Sequence, residues 1–244
     1  MNAIRFERPK ASRKVRPKAS RNVDEGLNTH LDSDVPSIAP HNPGTETITL
    51  GKQLLDEWNH RLKNNLQILV GLLQSGYRKA HAAEAREVLS DAIRRIGAIG
   101  TAQQVFYSAG SSIDVSGQSL VNAVCANARI FFGSDVSIDC DTARGDLPKE
   151  AAMPVALIIN ELLTNAAKYG GNDHGQVTIR VGLSRRPGLY ELYVQDDGPG
   201  FGLEDPSDRL SGLGLVTALA QRLDGTFSVE RRSGARCTVR FPDL

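Results

Sequence analysis

Residues 159–170 read INELLTNAAKYG, and residues 194–202 read VQDDGPGFG. In the first stretch Leu162 and Leu163, with Leu157 and Ile158 just before, anchor one side of a helix. Glu161 and Asn165 are four apart and share another face. Lys168 and Tyr169 follow within the next turn, and Gly170-Gly171 supplies a C-terminal stop. A carboxylate and an amide on one face are oxygen donors of the kind Mg²⁺ takes. A lysine one turn on suits a phosphate. In the second stretch Leu192, Val194 and Asp196 share one face of a strand, so Asp196 rather than Asp197 points inward. Gly198 and Gly200 follow at D-x-G-x-G spacing and let the backbone approach a ligand closely. A carboxylate fixed at a strand end can accept a hydrogen bond from an amino group such as that of adenine.

Downstream, SGLGL at 211–215 opens a helix over 216–223. Gly212 and Gly214, with Leu213 and Leu215 between and after them, leave backbone N–H groups at the helix N-terminus as an anion site. Two strands are predicted to close the chain, 226–230 and 237–241, and Thr238 lies on the last. Upstream, strands are predicted at 113–115 and 136–140, and helices at 119–132 and 148–169. The alternating segments 177–183 and 190–194 are joined by Arg185-Arg186-Pro187-Gly188, a hairpin signal. Helices on one face of a mixed sheet follow: an α+β sandwich.

A different texture precedes it. From near Leu50, apolar residues recur at Leu55, Trp58, Leu62, Leu66, Leu69 and Leu73, one face of a long helix. Gly76 is expected to mark a bend. Ala85, Leu89, Ala92, Ile96, Ile99 and Val105 form a second helical face ending before Gly110. An antiparallel hairpin of this kind leaves apolar surface bare, and pairing two hairpins into a four-helix bundle covers it, so a homodimer is expected. Within EWNHRLKNNLQ (57–67), His60 stands about 200° around the helix from Leu62, in a polar stripe with Asn64 and Gln67. Arg61 and Lys63 flank it with positive charge. An exposed imidazole on a rigid helix is available as a nucleophile.

The 244 residues suffice for one or two domains plus a tail, and 40% apolar content supports a core. No stretch is apolar enough to span a membrane, and no apolar segment follows the basic start, so a secretory signal is not expected. The three cysteines, Cys125, Cys140 and Cys237, have no short paired spacing. That argues against a disulfide scaffold or structural zinc site and for a reducing, cytoplasmic setting. The net charge of +1 hides an asymmetry: residues 1–23 carry eight Lys/Arg against one acid (+7), leaving −6 for the remainder. Residues 8–15 (RPKASRKV) and 16–23 (RPKASRNV) match at seven of eight positions. Such segments cannot repay their ordering entropy by packing. Residues 1–47 therefore read as a disordered arm, with electrostatic attachment to nucleic acid or an anionic surface as its one functional reading. Residues 48–109 read as the helical hairpin, and 110–244 as the sandwich domain.

In order and spacing these stretches together resemble the two-component sensor histidine kinases, over about residues 50–244. His60 matches the phospho-acceptor, and H-R-x-K-N is the form found in and around the HWE subclass. Two marks of that subclass are absent: Asn160 stands where it has a His, and no W-x-E leads to Asp196. Residues 161–169 resemble the N-box, 196–200 the G1 box, 212–215 the G2 box, and Thr238 the last strand. The resemblance implies a Bergerat-type ATP-binding domain behind a dimerisation and phosphotransfer hairpin. It implies phosphoryl transfer from ATP·Mg²⁺ to His60, then to an aspartate of a response regulator. Asp196 would read adenine, Asn165 with Glu161 would hold Mg²⁺, and Lys168, Tyr169 and the backbone after Ser211 would meet ribose and phosphates. Residues 201–211 would form a short lid. Where the larger family has an acid after the phospho-acceptor, this chain has Arg61. Glu57 and Asn64 are both within reach of His60, and Glu57 is the expected proton acceptor. The alternatives are an ATP-independent histidine phosphotransfer protein and a phosphatase-biased regulator of the same fold.

Overall fold

A computed structural model describes residues 43–110, 112–142, 145–171, 175–199, 210–231 and 234–243. Glu46–Leu244 form one compact unit; the other, Met1–Thr45, lies outside the described residues except for the first three residues of a helix. The repeat-bearing segment thus falls outside the described residues, as does the expected disordered arm 1–47 except for 43–47, which are helical.

Two helices open the described chain, α1 (Pro43–Lys79) and α2 (Ala83–Ser108). They form the expected antiparallel hairpin. A Cβ at Gly100 would meet the Leu66 side chain, and one at Gly76 would meet Leu89. The helix starts at Pro43, not near Leu50, and Pro is well placed in a first helical turn because its missing N–H has no partner to lose. Gly76 does not bend α1; the glycine sits inside the helix and makes room for Leu89. The turn comes at residues 80–82. The expected apolar face of α1 is only half right. Leu62, Leu66 and Leu73 are partly covered, but Trp58 is 72% exposed and Leu69 is exposed as well. On α2 the most buried residues are Ile93, Ala98 and Ala102, and Ala102 belongs to the core of the sandwich domain.

The sandwich domain runs β1 (Asp114–Ser116), α3 (Gly117–Phe132), β2 (Val136–Thr142), β3 (Asp146–Pro148), α4 (Lys149–Tyr169), β4 (Val177–Arg186), β5 (Leu189–Asp196), α5 (Leu210–Arg222), β6 (Thr226–Arg231) and β7 (Ala235–Pro242). The mixed sheet has the order β2-β4-β5-β7-β6, with β2 parallel to β4 and the other neighbours antiparallel. The β4–β5 hairpin turns at Pro187-Gly188, where Gly188 takes φ +77°, as the signal at 185–188 predicted. The short strand β3, pairing with β1, was not expected; three residues are too few to show a period.

Strand β5 alternates strictly, with Tyr190, Leu192, Val194 and Asp196 buried. These face the helices, and Ile158, Ile159, Leu162 and Leu163 of α4 fill the layer between. Each such fully buried aliphatic side chain contributes roughly 1.5–3 kcal/mol of transfer free energy. Tyr190 stacks on Phe241 at 5.0 Å and donates its hydroxyl hydrogen bond to the Asp146 carbonyl oxygen, satisfying the one polar atom it buries. The architecture is the expected α+β sandwich behind a helical hairpin, and α4 is its central prop.

Candidate functional site

Helix α4 brings the first stretch to one place. Glu161 is only 6% exposed, and a buried carboxylate demands partners. It has them: Arg95 of α2 donates from Nε and Nη2 to the two carboxylate oxygens, each at 2.8 Å. The Asn160 amide adds a hydrogen bond at 3.3 Å. The Arg95 guanidinium is held above its ordinary pKa by the hydrogen bond to Glu161, against a smaller opposing effect of burial. Asn165 lies one turn on and is partly covered. The first turn of α5 rests over both: a Cβ on Gly212 would stand 3.4 Å from the Asn165 oxygen and 3.5 Å from a Glu161 oxygen. Gly212 is thus brought to Glu161 and Asn165.

One expectation for that turn needs correction. The helix begins at Leu210 rather than near Val216. The amide of Gly212 still belongs to the open first turn, but that of Gly214 falls on the fifth residue and is spent inside the helix. Leu213 packs against the core, and Leu215 is partly covered. Gly200 and the expected lid lie outside the described residues, apart from the backbone of 210 and 211.

Asp196 ends β5 and is buried. Its Oδ1 accepts hydrogen bonds from the backbone N–H groups of Gly198 at 3.1 Å and Ala235 at 3.0 Å. Two donors on one oxygen hold the carboxylate in place. The end of α4 closes against it: a Cβ at Gly170 would come within 2.9 Å of the Asp196 Cβ, and one at Gly198 within 2.3 Å of the Gly170 carbonyl oxygen. Asp197 turns outward and accepts from the Thr178 N–H at 2.7 Å. Asp196 is therefore the inward acid, as strand alternation predicted. Cys237, beside it, has its thiol pushed up to about 12 by burial and by the Asp196 charge.

Thr238 is not part of this cluster. It pairs with Tyr193 across β5–β7, on the sheet face turned away from Asp196. The residue of that strand that reaches Asp196 is Ala235, through its backbone. A backbone contact carries no side-chain signature, so the sequence could not mark it.

Lys168 donates to Glu87 at 2.5 Å and lies 3.6 Å from Asp91, both on α2. Burial pulls the Lys168 pKa down, but the hydrogen bond to Glu87 and the Asp91 charge more than offset it, and the net direction is up. Tyr169 is exposed at the end of α4.

His60 is exposed on α1, as its angular position predicted. It borders an open groove of about 510 Å³ between α1 and α2, together with Leu62, Leu66, Ile96, Gly97 and, from α3, Asn127. Glu57, the expected proton acceptor, is turned to Arg61, which donates from Nη2 at 2.6 Å and Nε at 3.1 Å. An acid and a guanidinium four residues apart on one helix are at the spacing that favours a charged pair. Asn64 is exposed.

The residues available to Mg²⁺ are the Asn165 amide oxygen and the Glu161 carboxylate. Asn165 fits. Glu161 has both oxygens on Arg95 and fits only when that pair opens. Among the described residues no group of three or more His, Cys, Asp or Glu is placed to hold a metal by itself.

Two family models match the chain in succession. Residues 57–131 match that of the histidine kinases, and residues 150–244 that of the histidine kinase-, DNA gyrase B- and HSP90-like ATPases. The chain belongs to the histidine kinases. Sensor histidine kinase PdtaS of Mycobacterium tuberculosis is 31% identical over 202 residues, 76% of this chain and 38% of that protein. Blue-light-activated histidine kinase 2 of Erythrobacter litoralis is 26% identical over 186 residues, 72% of this chain and 53% of that protein. The chain therefore spans well under two thirds of the length of either relative. The solved histidine kinase domain of the Erythrobacter litoralis EL346 blue-light-activated kinase shares the fold, with TM-score 0.55 and 21% identity over 72% of this chain and 95% of that one. The resemblance read from residues 50–244 holds in both halves of the chain. No helix among its described residues is long and apolar enough to cross a membrane.

Proposed function

We propose that this chain binds ATP with Mg²⁺, transfers the γ-phosphoryl group to a nitrogen of His60, and passes it to an aspartate of a response-regulator receiver domain. The observation that carries the reading is the gathering of Asn165, Glu161 and Gly212 at one end of α4, with Asp196 anchored beside its C-terminus, behind a helix that presents His60 to solvent.

Each residue then has a task that its surroundings suit. Asp196, oriented by two backbone donors, has a carboxylate to offer the exocyclic amino group of adenine. The Gly170–Gly198 contact brings the backbone close enough to flank a flat base. Asn165 supplies an oxygen to Mg²⁺, which neutralises charge on the triphosphate. Lys168 and the amides opening α5 balance the remaining negative charge. His60 attacks phosphorus with its unprotonated ring nitrogen; the bond from the γ-phosphorus to the bridging oxygen breaks, and ADP departs. Arg61 and Lys63 lie beside the group that arrives. In such a transfer, positioning and charge neutralisation do most of the work.

Partner choice follows the same reasoning. The hairpin exposes Trp58, Ile68, Leu69 and Leu72 on α1, a bare apolar surface that a second copy would cover. The receiver domain would then meet His60 at the open groove.

The test is incubation of the purified chain with γ-labelled ATP and Mg²⁺, beside His60→Ala and Asn165→Ala. Acid-labile, alkali-stable label on wild type, absent from both variants, is the expected result. Nucleotide bound without label would favour the phosphatase-biased reading. Neither label nor nucleotide binding would reject the kinase and leave the phosphotransfer protein.

A further inference from the structure

The contacts of α2 with α4 fall on the same two side chains that the nucleotide reading assigns to metal and phosphate. Arg95 holds both oxygens of Glu161, at 2.8 Å each. Glu87 and Asp91, two turns and one turn earlier on α2, lie 2.5 Å and 3.6 Å from the Lys168 ammonium. The three α2 residues stand at spacing four, a single charged stripe reading minus, minus, plus. It faces a plus and a minus, Lys168 and Glu161, seven residues apart on α4, so opposite charges meet at both ends. A neighbouring cation, Arg94, donates to Asp91 and to Ser90 at 2.6 Å and keeps that end of the stripe in place. Glu87 is held below the ordinary carboxylate range by its hydrogen bond to Lys168 and the charge of that lysine.

These pairs exclude what the site must do. A carboxylate that already accepts two guanidinium bonds and one amide bond has its charge balanced and few acceptor sites left for Mg²⁺, and a lysine held between two acids has its charge already balanced. We propose that the α2 stripe Glu87–Asp91–Arg95 is an autoinhibitory latch. It competes with nucleotide and metal for Lys168 and Glu161, and ATP binding requires the hairpin to let go of α4. The inference rests on the nucleotide reading above and adds a regulatory coupling to it. By linkage, whatever loosens the latch raises nucleotide affinity, and bound nucleotide loosens the hairpin by the same factor. Because the Lys168 pairs are partly exposed, salt loosens them, and it screens the attraction of Lys168 for phosphate as well.

The test compares the full chain with the double variant Glu87→Ala/Asp91→Ala. Neither residue belongs to the proposed nucleotide site. Binding of trinitrophenyl-ATP with Mg²⁺ is titrated, the rate of His60 labelling is measured, and amide exchange across 83–95 is followed with and without nucleotide. The variant is expected to bind about two- to fivefold more tightly, the range that partly exposed ion pairs support. It should label faster, and wild-type exchange across 83–95 should rise on nucleotide addition. Arg95→Gln is the second variant, freeing Glu161 while leaving a hydrogen-bond donor in place; it should act in the same direction. Equal affinity in all three proteins, with melting temperatures unchanged, overturns the latch alone. Weaker binding by the Glu87/Asp91 variant overturns it too, because the acids would then be positioning Lys168 for the nucleotide. No nucleotide binding by any of the proteins overturns the kinase reading and the latch with it.

Discussion

Gly170, the residue that ends α4, lies against Asp196, the residue that ends β5. A side chain on Gly170 would put its Cβ 2.9 Å from the Asp196 Cβ and 2.6 Å from the Ala166 carbonyl oxygen. Gly198 closes the third side, against the Gly170 carbonyl. Two stretches separated by about twenty-five residues thus meet backbone to backbone, and the acid that ends one is positioned by the glycine that ends the other.

The first prediction follows from that contact. Gly198→Val requires β5 and α4 to separate at their ends. Overpacking of this kind costs about 1–3 kcal/mol. Thermal melting should show the loss, and nucleotide binding should vanish because Asp196 moves with the strand end. Asp196→Asn is the complementary change. It keeps an oxygen for the Gly198 and Ala235 amides, so the fold should hold, but it replaces the other oxygen by an amide donor facing the adenine amino group. Nucleotide affinity should fall at least tenfold, which corresponds to about 1.4 kcal/mol. Undiminished binding in Asp196→Asn would remove Asp196 from the adenine role.

A second prediction concerns the hairpin. Ile68 is 61% and Leu72 is 65% exposed on α1, one turn apart. If a second copy covers them, Ile68→Lys with Leu72→Lys should convert a dimer to a monomer in sedimentation velocity. The melting temperature of wild type should also rise with protein concentration, and that of the variant should not. A wild-type chain that sediments as a monomer at every concentration rejects the four-helix bundle.

These relationships mark the limit of what the sequence shows. Periodicity suffices for the hairpin, for α4 and for the alternation of β5, because burial on one face writes a repeat into the residues. It also places His60 outside and Asp196 inside. It misplaces Trp58 and Leu69, because an apolar stripe says that a face is covered by something, not that the cover lies within one chain. It assigns Thr238 to the site, where strand register turns that side chain to the far face and uses the Ala235 amide instead. Arg95 left no sign at all: its partner Glu161 is sixty-six residues away, and nothing in either local pattern points to the other.

The third prediction addresses the proton acceptor for His60. Glu57 is paired with Arg61 on the helix surface, where such a pair contributes no more than about 0.5 kcal/mol. Glu57→Gln should leave the melting temperature unchanged within about a degree. It should lower the rate of His60 labelling by less than tenfold, since the carboxylate is turned to Arg61. A general base typically accounts for about a hundredfold or more. A fall of that size would restore Glu57 to the role the sequence suggested, with Arg61 swinging away during catalysis.

The last prediction uses the three thiols as reporters of the fold. Cys140 on β2 is partly exposed. Its thiol is held below the ordinary range by a hydrogen bond from Cys125 and by the Arg129 guanidinium, whose Nη2 lies 3.9 Å from the sulfur, while burial opposes the shift. Cys125 moves the other way, raised by its hydrogen bond to Cys140 and by burial in the core. Cys237 is buried beside Asp196 and pushed up to about 12. The thiolate is the reactive form, and an ordinary cysteine ionises near pH 8.5. In folded protein, iodoacetamide should therefore label Cys140 first, with a rate that has already levelled off by about pH 8. Cys125 and Cys237 should react only on unfolding. The sign for stability follows. A depressed Cys140 contributes stability fully present above the unfolded thiol pKa and lost as pH falls through the lowered folded value. Arg129→Gln should remove the cation, shift the Cys140 labelling profile to higher pH, and leave that of Cys237 where it was. Peptide mapping of the alkylated protein across pH 5–9 reads all three sites at once, and equal labelling of Cys140 and Cys237 at pH 7 would contradict the assignment of Cys140 as the activated thiol.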